Sequence, residues 1–208
     1  MTVSEAKPRR RSWYARSGAA FRWVHVYVSM LGFASLMFFG FTGLTLNHPS
    51  WFGAGEHVMR DVEGQMPTEV MYGSGEEEPD RLAIAEWLRS THRLSGAVSD
   101  FEVDDYECMV VFKGPGYAAD IFIDRETGEY MLTETTSGVV AIMNDLHKGR
   151  DSGPGWSWVI DVSAVGMMII SVSGFGLLFY IRRRRTTGLI AAVVGTVLMI
   201  VAWMLWVP

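Results

Sequence analysis

The side chains best suited to hold a metal or to move a proton at neutral pH are five histidines, His25, His48, His57, His92 and His147, and a single cysteine, Cys108. His25 and His48 lie 23 residues apart. On one straight helix that is about 34 Å. Metal–imidazole bonds are roughly 2 Å, so one ion cannot bind both. His48 and His147 differ from that pair, because each borders a different long uncharged stretch and both fall on the same side of those stretches. They are the two imidazoles that can meet within one chain. His57 sits in an acidic loop and His92 on a helical pattern, where packing or surface roles account for them. Cys108 precedes Met109, Val110 and Val111, the setting of a buried strand thiol. With one cysteine there is no intrachain disulfide, no iron–sulfur or cysteine zinc cluster and no Cys-x-x-Cys-His haem attachment. No Ser–His–Asp or Cys–His arrangement, P-loop or Gly-x-Gly-x-x-Gly after a strand is visible.

The elements that must position these histidines follow from charge. The 208 residues carry 18 Lys and Arg against 23 Asp and Glu, a net of −5. That average describes no part of the chain. Residues 1–22 hold six bases and one acid, residues 47–161 hold eight bases and 22 acids, and Arg182–Arg185 is an unbroken arginine run. Trp23–Leu46, Val162–Ile181 and Gly188–Val207 contain no Asp, Glu, Lys or Arg. About 20 apolar residues suffice to cross a bilayer as a helix, so the pattern predicts three transmembrane helices and excludes a single soluble domain or a disordered chain. The first stretch is too long for a cleaved signal, and Asn47-His48-Pro49-Ser50 is a poor cleavage site; it reads as a retained anchor.

Short basic segments stay cytoplasmic. The expected organisation is a basic cytoplasmic tail (1–22), transmembrane helix 1 (23–47), an extracytoplasmic domain with an interfacial segment (48–155), transmembrane helix 2 (156–181), a cytoplasmic arginine loop (182–187) and transmembrane helix 3 (188–207). The C-terminus is then outside. Arg9–Arg11 and Arg182–Arg185 suit anionic lipid, and Trp13, Trp23, Trp156, Trp158, Trp203 and Trp206 suit the interface. Asp161 is expected to cap the outer start of helix 2. Gly40, Gly43, Gly166, Gly174 and Gly176 either let helices approach closely or leave room for a flat ligand. Nothing points to nucleic acid, and spans without internal acids or bases offer a transporter little.

Within the outer segment, Pro49–Pro79 is rich in Gly, Pro and acids and reads as loop, with Glu76–Glu78 a solvated acidic run. Leu82, Ile84, Ala85 and Leu88 recur at helical spacing, and Gly96 can stop that helix. Strands are expected over Val98–Val103, Cys108–Lys113, Tyr117–Ile123 and Glu129–Thr133, with turns at Gly114–Gly116 and Asp124–Gly128. One helix over a small antiparallel sheet is an α+β arrangement with a modest core.

The helix-then-meander order, ending in Ile123-Asp124-Arg125-Glu126-Thr127-Gly128-Glu129, resembles a PepSY domain. Arg22-Trp23-Val24-His25, Gly32, Thr42-Gly43-Leu44 and Leu146-His147-Lys148-Gly149 resemble the membrane part of PepSY-associated transmembrane proteins. The resemblance covers most of residues 20–185 and leaves out the third span and the basic tail. It implies a bacterial cytoplasmic-membrane protein, and ferric-siderophore reductases that pass electrons through histidine-held haems occur in that group. On this reading haem b lies between helices 1 and 2 with His48 and His147 as iron ligands. His25, with no cytoplasmic histidine partner in its own chain, would need a ligand from a second copy or another subunit. Any flavin or nicotinamide would also come from a partner subunit. The other reading is non-enzymatic: the outer domain binds a protease, a peptide or another envelope protein, and the helices only anchor it.

Overall fold

The computed structural model describes residues 13–73 and 78–208. The basic run Arg9–Arg11 and Glu76–Glu77 lie outside the described residues. The chain divides into two compact units. One runs up to Leu36 and resumes at Val162–Pro208; the other is Met37–Asp161.

The first unit is helical. α1 (Trp13–Leu31) leads into α2 (Phe33–Asn47), and the two are set at 60° across Gly32. Backbone bonds continue through the bend, from Gly32 N to the Val28 carbonyl (2.8 Å) and from Leu36 N to the Gly32 carbonyl (2.9 Å). The single straight span expected over 23–47 is therefore a bent pair. α6 (Gly153–Leu178) and α7 (Arg185–Trp206) are each long and apolar enough to cross a membrane; the bent pair passes the same test only when taken together. α6 starts well before the uncharged stretch, with Pro154 in its first turn, where the missing N–H costs nothing. Asp161 consequently lies inside α6 and does not cap it.

α1 and α6 pack through small residues. Gly18 lies under the Tyr180 ring, Gly176 faces Phe21, and Gly174 faces His25. The Tyr14 and Tyr180 rings meet at a tilt, centroids 4.7 Å apart, and the Tyr180 hydroxyl donates to Ser17 Oγ at 2.9 Å. Gly166 has open space around it, so the glycines of α6 do different work.

The second unit is built on a five-stranded antiparallel sheet in the order β1-β5-β4-β3-β2, with β1 His57–Gln65, β2 Ala97–Val103, β3 Glu107–Gly114, β4 Tyr117–Asp124 and β5 Glu129–Ser137. α4 (Arg81–His92) covers one face. Asp80 caps it, its Oδ1 accepting from the Leu82 and Ala83 amides at 3.0 Å each. Ile84, Ala85 and Leu88 press onto Cys108, Val110, Phe112, Ile121, Ile123 and Leu132. Leu82, placed on the apolar stripe by its spacing, is 72% exposed, and the buried stripe of α4 is Ile84, Ala85 and Leu88. Cys108 is fully buried as expected, and burial pushes its thiol pKa up.

Two elements replace expected loop. β1 and α3 (Thr68–Tyr72) occupy part of 49–79. β1 adds to the sheet beside β5 and pairs with it from His57↔Ser137 to Gln65↔Glu129, which is why β5 runs past Thr133. α5 (Val139–Lys148) then returns from the sheet. The Asp124–Gly128 turn forms as expected. Asp124 Oδ1 accepts from Glu126 N, Thr127 N and Thr127 Oγ1 at 3.0, 2.7 and 2.9 Å, and these donors hold its carboxyl below the usual range. Gly128 is required there: its φ is +73°, and a Cβ would lie 2.6 Å from the Met66 carbonyl oxygen.

Candidate functional site

His25 is half-buried on α1. Its Nδ1 stands 3.2 Å from the Ile170 carbonyl oxygen and 3.1 Å from Ser173 Oγ, both on α6. A carbonyl only accepts, so the network assigns the imidazole proton to Nδ1. Ser173, 3% exposed, donates its own proton to the same carbonyl at 3.0 Å. An apolar cleft of about 490 Å³ adjoins Ser173, lined also by Phe21, Val24, Met168, Ile169 and Val172.

His147 sits in the last turn of α5. Its Nδ1 is 2.6 Å from Thr42 Oγ1 on α2. Thr42 spends its proton on the Phe38 carbonyl, also at 2.6 Å, so the hydroxyl oxygen receives the Nδ1 proton. One turn along each helix the contact repeats, with Thr45 Oγ1 donating to Asn144 Oδ1 at 2.6 Å. Phe39 meets the imidazole edge-on at 5.1 Å, and Gly43 faces its Cε1, which a Cβ at that position would meet at 3.8 Å. α5 is fixed at its C-terminal end. Gly149, at φ +71°, closes its C-terminus, Trp156 Nε1 donates to the Leu146 carbonyl at 2.7 Å, and Asp145 Oδ2 accepts from the Gly116 amide of the sheet at 2.9 Å.

His48 follows the end of α2 and stacks face-to-face on Trp51 at 4.0 Å. Its ring partner is thus different from those of His147. His57 bonds Ser137 Oγ at 2.9 Å, and His92 Nε2 bonds the Tyr130 hydroxyl at 2.7 Å. Among the described residues no three His, Cys, Asp or Glu side chains converge as a metal-binding group. A haem asks for less, one or two axial ligands from the protein.

Sequence reasoning named the histidines but missed Asn144, Thr45 and Ser173 as the residues that position them. A signal existed. Thr42/Thr45 and Asn144/His147 are two polar pairs at i, i+3 spacing, one within an uncharged stretch, so each pair shares a helix face. Buried hydroxyls and amides in apolar helices need partners, and these two faces partner each other.

Apolar helices long enough for a bilayer, carrying in sequence a helix-covered antiparallel sheet, define a membrane-associated protein with a PepSY-type domain. The chain belongs to the PepSY_TM-like family, which it matches over residues 19–208. The match takes in α7, which the sequence resemblance had left out. No curated protein and no solved structure matches the chain.

Proposed function

We propose that this is a haem b-binding electron-transfer subunit of the bacterial cytoplasmic membrane, related in chemistry to ferric-siderophore reductases. His147 and His25 would be iron ligands, with His48 completing the pair with His147. The observation that supports it is the wiring of two imidazoles. In both His25 and His147 the Nδ1 proton is taken by an oxygen on a neighbouring helix, which leaves Nε2 as the lone-pair nitrogen. That is the arrangement by which proteins orient a histidine toward a metal. When bound, the haem supplies one-electron chemistry at its iron. The chain's own part is to fix each ring in one tautomer and to keep water from it with Phe39, Phe21 and Val24. The second ligand at His25 would come from another copy or subunit.

Protein purified in detergent from haem-replete cells is expected to show a Soret band that His147→Ala and His25→Ala each diminish. Thr42→Val, which keeps the shape but removes the acceptor for Nδ1, is expected to weaken haem retention about 10- to 100-fold. A colourless wild-type protein that takes up no added haem would overturn the proposal.

A further inference from the structure

The face of the sheet opposite α4 is uncovered. Strand alternation and the pairing register place eight carboxylates on it and, among the described residues, a single base, Lys113, 3.9 Å from Asp100. Its centre is apolar. Met131, Phe122 and Met109 are cross-strand neighbours on β5, β4 and β3, with Phe122 42% and Met131 51% exposed. At one end Met131 and Phe122 floor a cavity of about 760 Å³ that Glu63, Glu129, Asp124 and Glu107 surround. These come from β1, β5, β4 and β3 in turn, and no base lines the cavity.

Two of them, Glu107 and Asp124, are direct cross-strand partners. Like charges in that position destabilise a sheet. Asp124 already accepts three hydrogen bonds from its turn at Oδ1, and its carboxyl is held below the usual range by them. A sequence that tolerates such a conflict in an otherwise consistent domain does so where a partner resolves it. The carboxylates are spread over four strands, about 14 Å at the usual strand spacing, and they form no converging metal group. Anionic lipid and nucleic acid are repelled by this face. An extended peptide rises about 3.3 Å per residue and turns every second side chain to the same side, so five residues match the span, with bases at the first and fifth positions facing the carboxylates and an apolar side chain at the third, on that same side, meeting Phe122 and Met131.

We propose that this open face docks a basic, extended segment of another protein, arginines or lysines pairing with Glu63, Glu129, Asp124 and Glu107 around an apolar residue seated on Phe122 and Met131. The proposal is independent of the haem reading, since none of these residues contacts His25, His48 or His147.

The test uses the full chain in non-ionic detergent and a fluorescent heptapeptide with arginine at its second and sixth positions, phenylalanine at its fourth and serine elsewhere, so that all three face one side when extended. Its counterpart carries glutamate for arginine. Fluorescence anisotropy is expected to show binding of the basic peptide only, weakening steeply with added salt. Glu63→Gln with Glu129→Gln, and separately Phe122→Ser, are expected to lower the affinity by about tenfold or more. Glu126→Gln, exposed in the β4–β5 turn but outside the cavity, is expected to change nothing. Equal binding of both peptides, binding to empty micelles alone, no binding of either, or an affinity indifferent to the cavity substitutions each overturns the proposal. Thermal melts of the variants confirm that the sheet is intact.

Discussion

A histidine is defined by what its two nitrogens face, and three of the five here have an assigned partner that decides their use. His25 and His147 give Nδ1 to helix oxygens, which preserves Nε2. His92 instead engages its other nitrogen, with Nε2 hydrogen-bonded to the Tyr130 hydroxyl at 2.7 Å. Burial first, then the positive charge of Arg60, lowers the His92 pKa from its usual value near 6.5, and Glu134 opposes them weakly. The folded state therefore binds that proton less readily than the unfolded chain. The contribution of neutral His92 is complete above pH 6.5 and is lost as pH falls below it toward the depressed folded value. The melting temperature of the full chain in detergent is expected to fall across that window. In His92→Gln, where the amide can still meet Tyr130 but does not titrate, the fall is expected to be smaller. An identical pH profile in both proteins would show that His92 is not the group responsible.

At the scale of elements, close packing of α1 on α6 rests on glycines that the sequence alone could not rank. Gly166 and Gly176 look alike in an uncharged helix. In the structure nothing approaches a Cβ at Gly166, whereas one at Gly176 would lie 2.5 Å from Phe21 Cε1. Gly176→Leu is expected to force the helices apart, at a cost of about 1–3 kcal/mol, and Gly166→Leu to cost little. Thermal unfolding of the two variants in detergent separates them, and equal melting temperatures would refute the packing role of Gly176. The outer domain shows where legibility ended. α4 and strands β4 and β5 were readable because their buried residues recur at the period of their element, and β3 because it is a nearly continuous apolar run. β1 was not. Nearly all its residues are exposed, since an edge strand is held by main-chain pairing on one side. Its Gly64 looks like a strand breaker, yet it stands opposite Tyr130, whose ring needs the space. α5 was hidden for another reason: its buried positions include Asn144 beside Ala141, so its inner face is partly polar and the apolar stripe is broken where the site is built.

For the whole molecule the sidedness of charge was the plainest signal, and it yields the prediction that the acidic domain and the arginine link lie on opposite sides of the membrane. The reasoning is electrostatic. Arg182–Arg185 is a short, strongly basic segment between α6 and α7, and such segments are retained on the cytoplasmic side. The sheet domain, 22 acids against eight bases over residues 47–161, must then face outward, and a basic partner for its open face would be met there. The bent α1–α2 pair adds a condition, because it serves as one span only if both halves lie within the bilayer. Cys108 makes the test clean. It is fully buried and its thiol is pushed up by burial, so the native chain should resist a membrane-impermeant thiol reagent. Thr127→Cys places a thiol in the exposed β4–β5 turn, and Thr186→Cys places one beside the arginine run. In intact cells Thr127→Cys is expected to be labelled and Thr186→Cys to be protected until the membrane is permeabilised. If both are labelled from outside, α6, the one candidate span between the two positions, does not cross and lies along the surface. If only Thr186→Cys is labelled, the charge rule is inverted in this protein and the open sheet face is turned to the cytoplasm.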